Sequence, residues 1–262
     1  MTSYIDIGKF QKGESEFLMY EPHIYRRWMG SFKYISNPVV AYFEDKSDVE
    51  RFRAIRSHLP PERTEIIQFS RADTWAFSLK PEIEKIFAQP SYPVHHPNTV
   101  NANYSCVMHS KYEFLSNAIN KNYFNTKYFA WTDIGYFRDV LHMKNQSVIR
   151  INLPPNYNVS SIAVNEVFSR DKDSLITSIF YKNKVWLGGG FFLGAGDVMM
   201  TWVEQYRRAV HVFIKDMLMS TDQQVIYAWF NKGKNQVPIT TYKPNTRFNP
   251  WFHLGYLCRD KI

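Results

Sequence analysis

The sequence predicts an α/β protein whose sheet is wrapped by helices. Three features carry that prediction: consecutive strand, turn and helix units early in the chain, an aromatic strand that runs straight into an aspartate, and a glycine-interrupted apolar segment followed by a long amphipathic helix. Composition agrees, with 45% hydrophobic and 17% aromatic residues over 262 positions, enough apolar side chain for a sizeable core.

Pro38-Val39-Val40-Ala41-Tyr42-Phe43 reads as a strand, and Ser47 and Glu50 have capping-box spacing for a helix that shows Val49, Phe52 and Ile55 on one face and stops before Pro60-Pro61. Glu65 to Phe69 reads as the next strand, and the stretch after Pro81 as a helix with proline in its first turn. Pro90 to Asn103 has loop composition. Ser110-Lys111-Tyr112-Glu113 has capping-box spacing and predicts a helix start, with Phe114, Leu115, Ala118 and Ile119 buried. Lys127 to Trp131 reads as a strand that ends in Thr132-Asp133-Ile134-Gly135. Ser147 to Asn152 and Ser161 to Val167 read as strands, and Val185 to Gly196 as an apolar segment whose glycines let backbone approach a ligand. A helix then carries Val203, Tyr206, Val210, Phe213, Ile214 and Met217 on one side, and Thr221 caps another with Asp222 and Gln223 in its first turn. Asn231 to Phe248 is polar and turn-rich, ahead of Trp251-Phe252-His253.

A formal charge of +8 and a pI near 9.3 favour an anionic partner: nucleic acid, an anionic membrane surface in peripheral contact, or a phosphorylated small molecule. The basic residues are scattered rather than gathered in a stripe, which argues against nucleic acid. Cys106 and Cys258 are too few for a disulfide framework or thiolate metal site. No apolar run approaches the ~20 residues that span a bilayer, and the start lacks signal-peptide character, so a soluble cytoplasmic protein is expected. Sequons at Asn103, Asn145 and Asn158 say little without a secretory signal.

Asp133 stands where a strand ends, the place where open α/β sheets bind ligands, and one carboxylate there suits Mg²⁺ or Mn²⁺ shared with substrate phosphates; the competing role is a turn aspartate capping local amides. Asp222 and Gln223 can orient a substrate from a helix start or simply complement the helix dipole. His253 can ligate a metal or be a satisfied core imidazole. His95-His96 lacks the partners of a metal site. Phosphate-loop and α/β-hydrolase motifs are absent.

Tyr4-Ile5-Asp6-Ile7-Gly8-Lys9, Lys111, Phe129 to Asp139, Gly188-Gly189-Gly190-Phe191-Phe192 and Thr221-Asp222-Gln223, in that order over nearly the whole chain, resemble the HtrL/YibB family of bacterial proteins, which in turn resembles GT-A glycosyltransferases. The resemblance implies one continuous domain over residues 1–262, a GT-A-like Rossmann-type mixed sheet with helices on both faces, with residues 1–140 binding the nucleotide sugar and 141–262 the acceptor. It implies a transferase that moves a sugar from a UDP-type donor to a glycan or other hydroxyl, assisted by Mn²⁺ or Mg²⁺ on Asp133. Asp-Ile-Gly departs from the usual Asp-x-Asp by one carboxylate. Similarity to glycogenin-type retaining transferases assigns catalysis to Asp222 and Gln223 and a second metal ligand to His253. On this basis Tyr4, Ile5, Asp6, Lys111, Thr132, Asp133 and Arg138 are expected on the donor, and Gly189, Gly190 and Phe191 on the acceptor. The competing functions are a non-catalytic carbohydrate-binding protein and a nucleotide-sugar hydrolase.

Overall fold

The computed structural model describes residues 1–143, 148–245 and 248–261; the sequon at Asn145 and the strand start expected at Ser147 lie outside them. In chain order the strands are β1 (Thr2–Tyr4), β2 (Phe10–Gln11), β3 (Met19–Tyr20), β4 (Val39–Phe43), β5 (Thr64–Gln68), β6 (Tyr128–Thr132), β7 (Ile149–Ile151), β8 (Ile162–Glu166), β9 (Leu187–Ala195), β10 (Ile239–Tyr242) and β11 (Arg259–Lys261). The helices are α1 (Pro22–Met29), α2 (Lys46–Arg56), α3 (Trp75–Ser78), α4 (Lys80–Phe87), α5 (Ala102–Lys121), α6 (Ile176–Tyr181), α7 (Gly196–Lys215), α8 (Asp222–Asn231) and α9 (His253–Leu257).

Strands β5, β4 and β1 form a parallel sheet in that order. A mixed sheet runs β6, β9, β8, β10, with β9 antiparallel to both neighbours and β10 parallel to β8. Met1 joins the two: its amine donates to the Ala130 carbonyl (2.5 Å), and the Thr132 N–H donates to the Met1 carbonyl (2.9 Å), the pattern of a parallel ladder. The chain lays β4 and β5 on one side of β1 and then returns with β6 on the other. Strand order reverses between β1 and β6, the kind of point where α/β sheets open a crevice at their carboxyl ends.

Strand alternation sends side chains to two cores. Val40 and Tyr42 of β4, Ile162 and Val164 of β8 and Phe192 of β9 join the core under α4, α5, α7 and α8. Val39, Ala41, Phe43, Ala163, Phe191 and Leu193 join the opposite core under α1, α2 and α9. The sheet is therefore covered by helices on both faces, an α/β fold as the periodicity predicts.

Several elements differ from expectation for local reasons. Helix α2 is capped by Asp45, whose Oδ1 accepts the Ser47 N–H at 2.7 Å, not by Ser47. Residues 110–113 lie inside α5, which starts at Ala102 with Asn101 as its cap. Glu113 there caps another helix, its two oxygens accepting the N–H groups of Trp75 (3.0 Å) and Ala76 (3.3 Å) at the start of α3. The glycine-interrupted segment is strand β9, and the polar tail contains β10 at the sheet edge. Met217 falls beyond α7, at φ 56°.

Arg56 fastens loops with no counter-ion among the described residues. Its guanidinium, 2% exposed, donates to the carbonyls of Phe32, Ile35, Asn37 and Arg63 and to Thr64 Oγ1. Burial, with Arg63 adding to it, lowers its pKa to about 10, so it stays charged at neutral pH. Arg56→Met orphans these acceptors, some of which water can reach, and a loss of about 2–3 kcal/mol is expected in urea unfolding.

Candidate functional site

A cleft of about 570 Å³ opens where β1 and β6 end. Its size falls within the ~300–1,000 Å³ typical of small-molecule sites. Ser3 to Ile5 and Trp131 to Ile134 (without Thr132) form part of its floor, and Gly189, Gly190 and the first turn of α8 close it from the mixed sheet. Aromatic side chains make the walls: Tyr20, Tyr25 and Trp28 on one side, Tyr104 from α5, and Trp251 and Phe252 from the segment ahead of α9. A larger hollow of about 750 Å³ lies among Arg26, Lys33, Arg51 and His58, but it is an open depression in which neither Asp133 nor Asp222 takes part.

The centre of the cleft is a lysine between two aspartates. Lys111, 3% exposed, reaches from the middle of α5, and its Nζ lies 3.3 Å from Asp133 Oδ1, 3.2 Å from Asp222 Oδ2 and 3.1 Å from the Gly189 carbonyl oxygen. Burial disfavours its charge, but Asp133 and Asp222 together outweigh burial and hold the pKa above the ordinary lysine value. Asp222 is 1% exposed; burial lifts its carboxyl above the usual range against the pull of Lys111. Asp133 differs in its side chain being 40% exposed. Trp131 Nε1 donates to its Oδ1 at 2.7 Å, while its own N–H donates to the Gly190 carbonyl at 2.8 Å.

The glycines of β9 make this meeting sterically feasible. A Cβ on Gly189 would stand 2.4 Å from Asp222 Oδ2, and one on Gly190 would touch the Tyr136 ring at 3.2 Å. Gly189→Ala must displace a carboxylate already gripped by Lys111, and a loss of about 1–3 kcal/mol is expected from the urea midpoint. Behind the cleft Tyr136 ties the C-terminal segment to the sheet. Its hydroxyl accepts from Asn165 Nδ2 and from the Gly255 N–H, each at 3.2 Å, and Asn165 Oδ1 accepts the Leu254 N–H at 2.6 Å.

Of the residues singled out by sequence, the cleft gathers Tyr4, Ile5, Lys111, Asp133, Arg138, Gly189, Gly190, Asp222 and Gln223. Four stand elsewhere. Strand alternation that aims Trp131 and Asp133 inward turns Thr132 away. Asp6 accepts the Gly8 N–H (2.8 Å) and pairs with Arg26 (3.1 Å), and so shapes the turn after β1. Phe191 is fully buried in the core behind Tyr136. His253 sits at the start of α9 against Phe248, off the lining, with burial lowering its imidazole pKa. Lys12, Tyr25, Trp28, Tyr104 and Trp251 were not anticipated. Tyr25 and Trp28 at i and i+3 carry a readable helical signal, whereas Lys12 belongs to the β2–β3 hairpin, its ammonium 5.3 Å from the Tyr20 ring centre.

Arg138 lies between Trp28 and Phe252, 4.9 and 4.6 Å from their ring centres, and donates to the Gly135 carbonyl at 2.9 Å. With Lys12 it offers positive charge to an anion entering the cleft. A divalent ion held by the chain fits less well. Asp222 is buried against Lys111, Asp133 Oδ1 already accepts from Trp131 and Lys111, and His253 is off the lining. Among the described residues no group of three or more His, Cys, Asp or Glu side chains could hold a metal ion. Nor, among them, is any helix long and apolar enough to cross a membrane.

A family model described as "Bacterial protein of unknown function (HtrL_YibB)" matches residues 1–238. No curated protein matches the chain.

Proposed function

The chain belongs to the HtrL_YibB family of bacterial proteins, and on that premise we propose that it is a glycosyltransferase that moves a sugar from a nucleoside-diphosphate sugar, of the uridine type, to a hydroxyl of a glycan or other acceptor. The observation that carries this is the cleft at the reversal of strand order, where Asp133 and Asp222 face a space bordered by Lys12, Arg138 and aromatic rings. A parallel sheet joined to a mixed one, helices on both faces, also accords with a GT-A arrangement.

Each part of the cleft has a task in such a transfer. The rings of Tyr4, Tyr25 and Trp28 suit stacking with a base, and Trp251 and Phe252 suit the apolar face of a sugar. Lys12 and Arg138 meet the diphosphate, Arg138 through planar N–H donors that match phosphate oxygens. In an inverting transfer Asp222 takes the proton of the acceptor hydroxyl while the new C–O bond forms, and the bond from the anomeric carbon to the diphosphate oxygen breaks with its electron pair leaving on the nucleotide. In a retaining transfer Asp222 and Gln223 flank the sugar and stabilise its positive charge. A second function, carbohydrate binding without turnover, is favoured by one observation: Lys111 already pairs with both acids.

A thermal-shift panel of nucleoside diphosphates and nucleotide sugars, each with and without Mn²⁺, separates these. One nucleotide family is expected to raise stability by about 2.7 kcal/mol at a hundredfold excess over Kd, and Arg138→Ala to remove the shift. Stabilisation by glycans with no response to any nucleotide would favour the binding protein.

A further inference from the structure

We propose that the ammonium of Lys111 is the resident cation of this cleft: it stands where a divalent ion would bridge Asp133 and Asp222, and the site takes its anionic ligand without a metal. An ammonium has three N–H donors. At Lys111 three acceptors surround it, at 3.1 Å from Gly189, 3.2 Å from Asp222 and 3.3 Å from Asp133. The arrangement is buried and draws on three separate elements, α5, β9 and the start of α8, with Asp133 leading out of β6. Gly189 is bare where a side chain would push Asp222 off the lysine.

Two consequences follow. Lys111 has its donors engaged and is a positioning residue that fixes both acids, not a phosphate ligand. A divalent ion on Asp133 would also lie beside a fixed positive charge, which opposes it directly. The charge of an incoming anion falls instead to Lys12 and Arg138 on the rim, where Arg138 gives one N–H to Gly135 and is steadied by Trp28 and Phe252. The proposal rests on the transferase reading only for the nature of that anion.

Mn²⁺ titrated into the full chain, followed by the EPR signal of the free ion, tests the lysine without any nucleotide. The wild type is expected to leave the ion free, Lys111→Ala to take up about one ion per chain on the released carboxylates, and Lys111→Ala with Asp133→Asn to take up none. Uptake by the wild type that Asp133→Asn abolishes overturns the proposal, as does a folded Lys111→Ala that binds no ion. Should Lys111→Ala not fold, calorimetry of UDP binding to the wild type decides. Equal affinity in EDTA and in Mn²⁺, within about twofold, is expected, and a gain of about tenfold or more with Mn²⁺ overturns it. Absence of binding by any nucleotide would sink the transferase and leave the wild-type EPR titration to judge the lysine.

Discussion

Lys111→Met is expected to destabilise the chain by about 3–5 kcal/mol, because it removes one member of a buried charge pair and strands the other. Asp222 is 1% exposed and would be left without its cation, in a pocket that already lifts its carboxyl pKa. Protonation of Asp222 relieves part of that penalty, so the loss should shrink as pH is lowered. Removing the second charge provides the control. Lys111→Met with Asp222→Asn is expected to recover most of the stability while leaving any turnover abolished, since breaking a pair costs far more than replacing it. Urea unfolding of the two variants measures this. Equal losses in single and double variants would show that Lys111 contributes through its packing and not through its charge.

Acid should unfold this protein through His109, buried at the middle of α5. Ser105 Oγ donates to the Ser220 carbonyl, so at His109 Nε2, 3.2 Å away, the serine can only accept. That places the proton on Nε2 and leaves Nδ1 to accept from the Tyr206 hydroxyl at 2.6 Å. Neutral imidazole satisfies every partner. A second proton on Nδ1 would face the hydroxyl's own. Burial, with Lys111 adding to it, lowers the pKa from 6.5 to about 3. The folded state therefore binds fewer protons than the unfolded state between these values. The stability is fully present above pH 6.5 and falls by about 1.4 kcal/mol per pH unit as pH drops towards 3. His109→Gln should flatten that slope in urea midpoints taken from pH 6.5 downward, and parallel curves for the two proteins would refute the assignment.

Much of this architecture was legible in the chain because it is local. The apolar run of Val39 to Phe43, the strand ending at Asp133 and the Thr221 cap are set by neighbours in sequence, and the structure has them as expected (Thr221 N to Gln224 Oε1, 3.3 Å). What failed was tertiary. Ser110 and Glu113 have the spacing of a capping box, yet Glu113 satisfies amides 37 and 38 residues away. Strand β10 reads as polar tail because its hydrogen bonds come from β8, far back in the chain. In the site, Asp133 was visible by position at a strand end, and Asp222 by its place at a helix start. Lys111 was visible only as a positive charge. Its place between the two acids depends on helix, strand and loop converging, which no spacing in the sequence encodes.

The Tyr136 tie bears on what any bound molecule does to the chain as a whole. Tyr4 stands in β1 and Phe252 just ahead of α9, far apart in sequence, and both border the same cleft. The family match stops at residue 238, so the wall made by Trp251 and Phe252 is supplied by chain outside the matched span and is moored to it through Asn165, Tyr136 and Gly255. A ligand that touches both walls acts as a removable cross-link between Tyr4 and Phe252, closing the stretch of chain between them into a loop for as long as it stays bound.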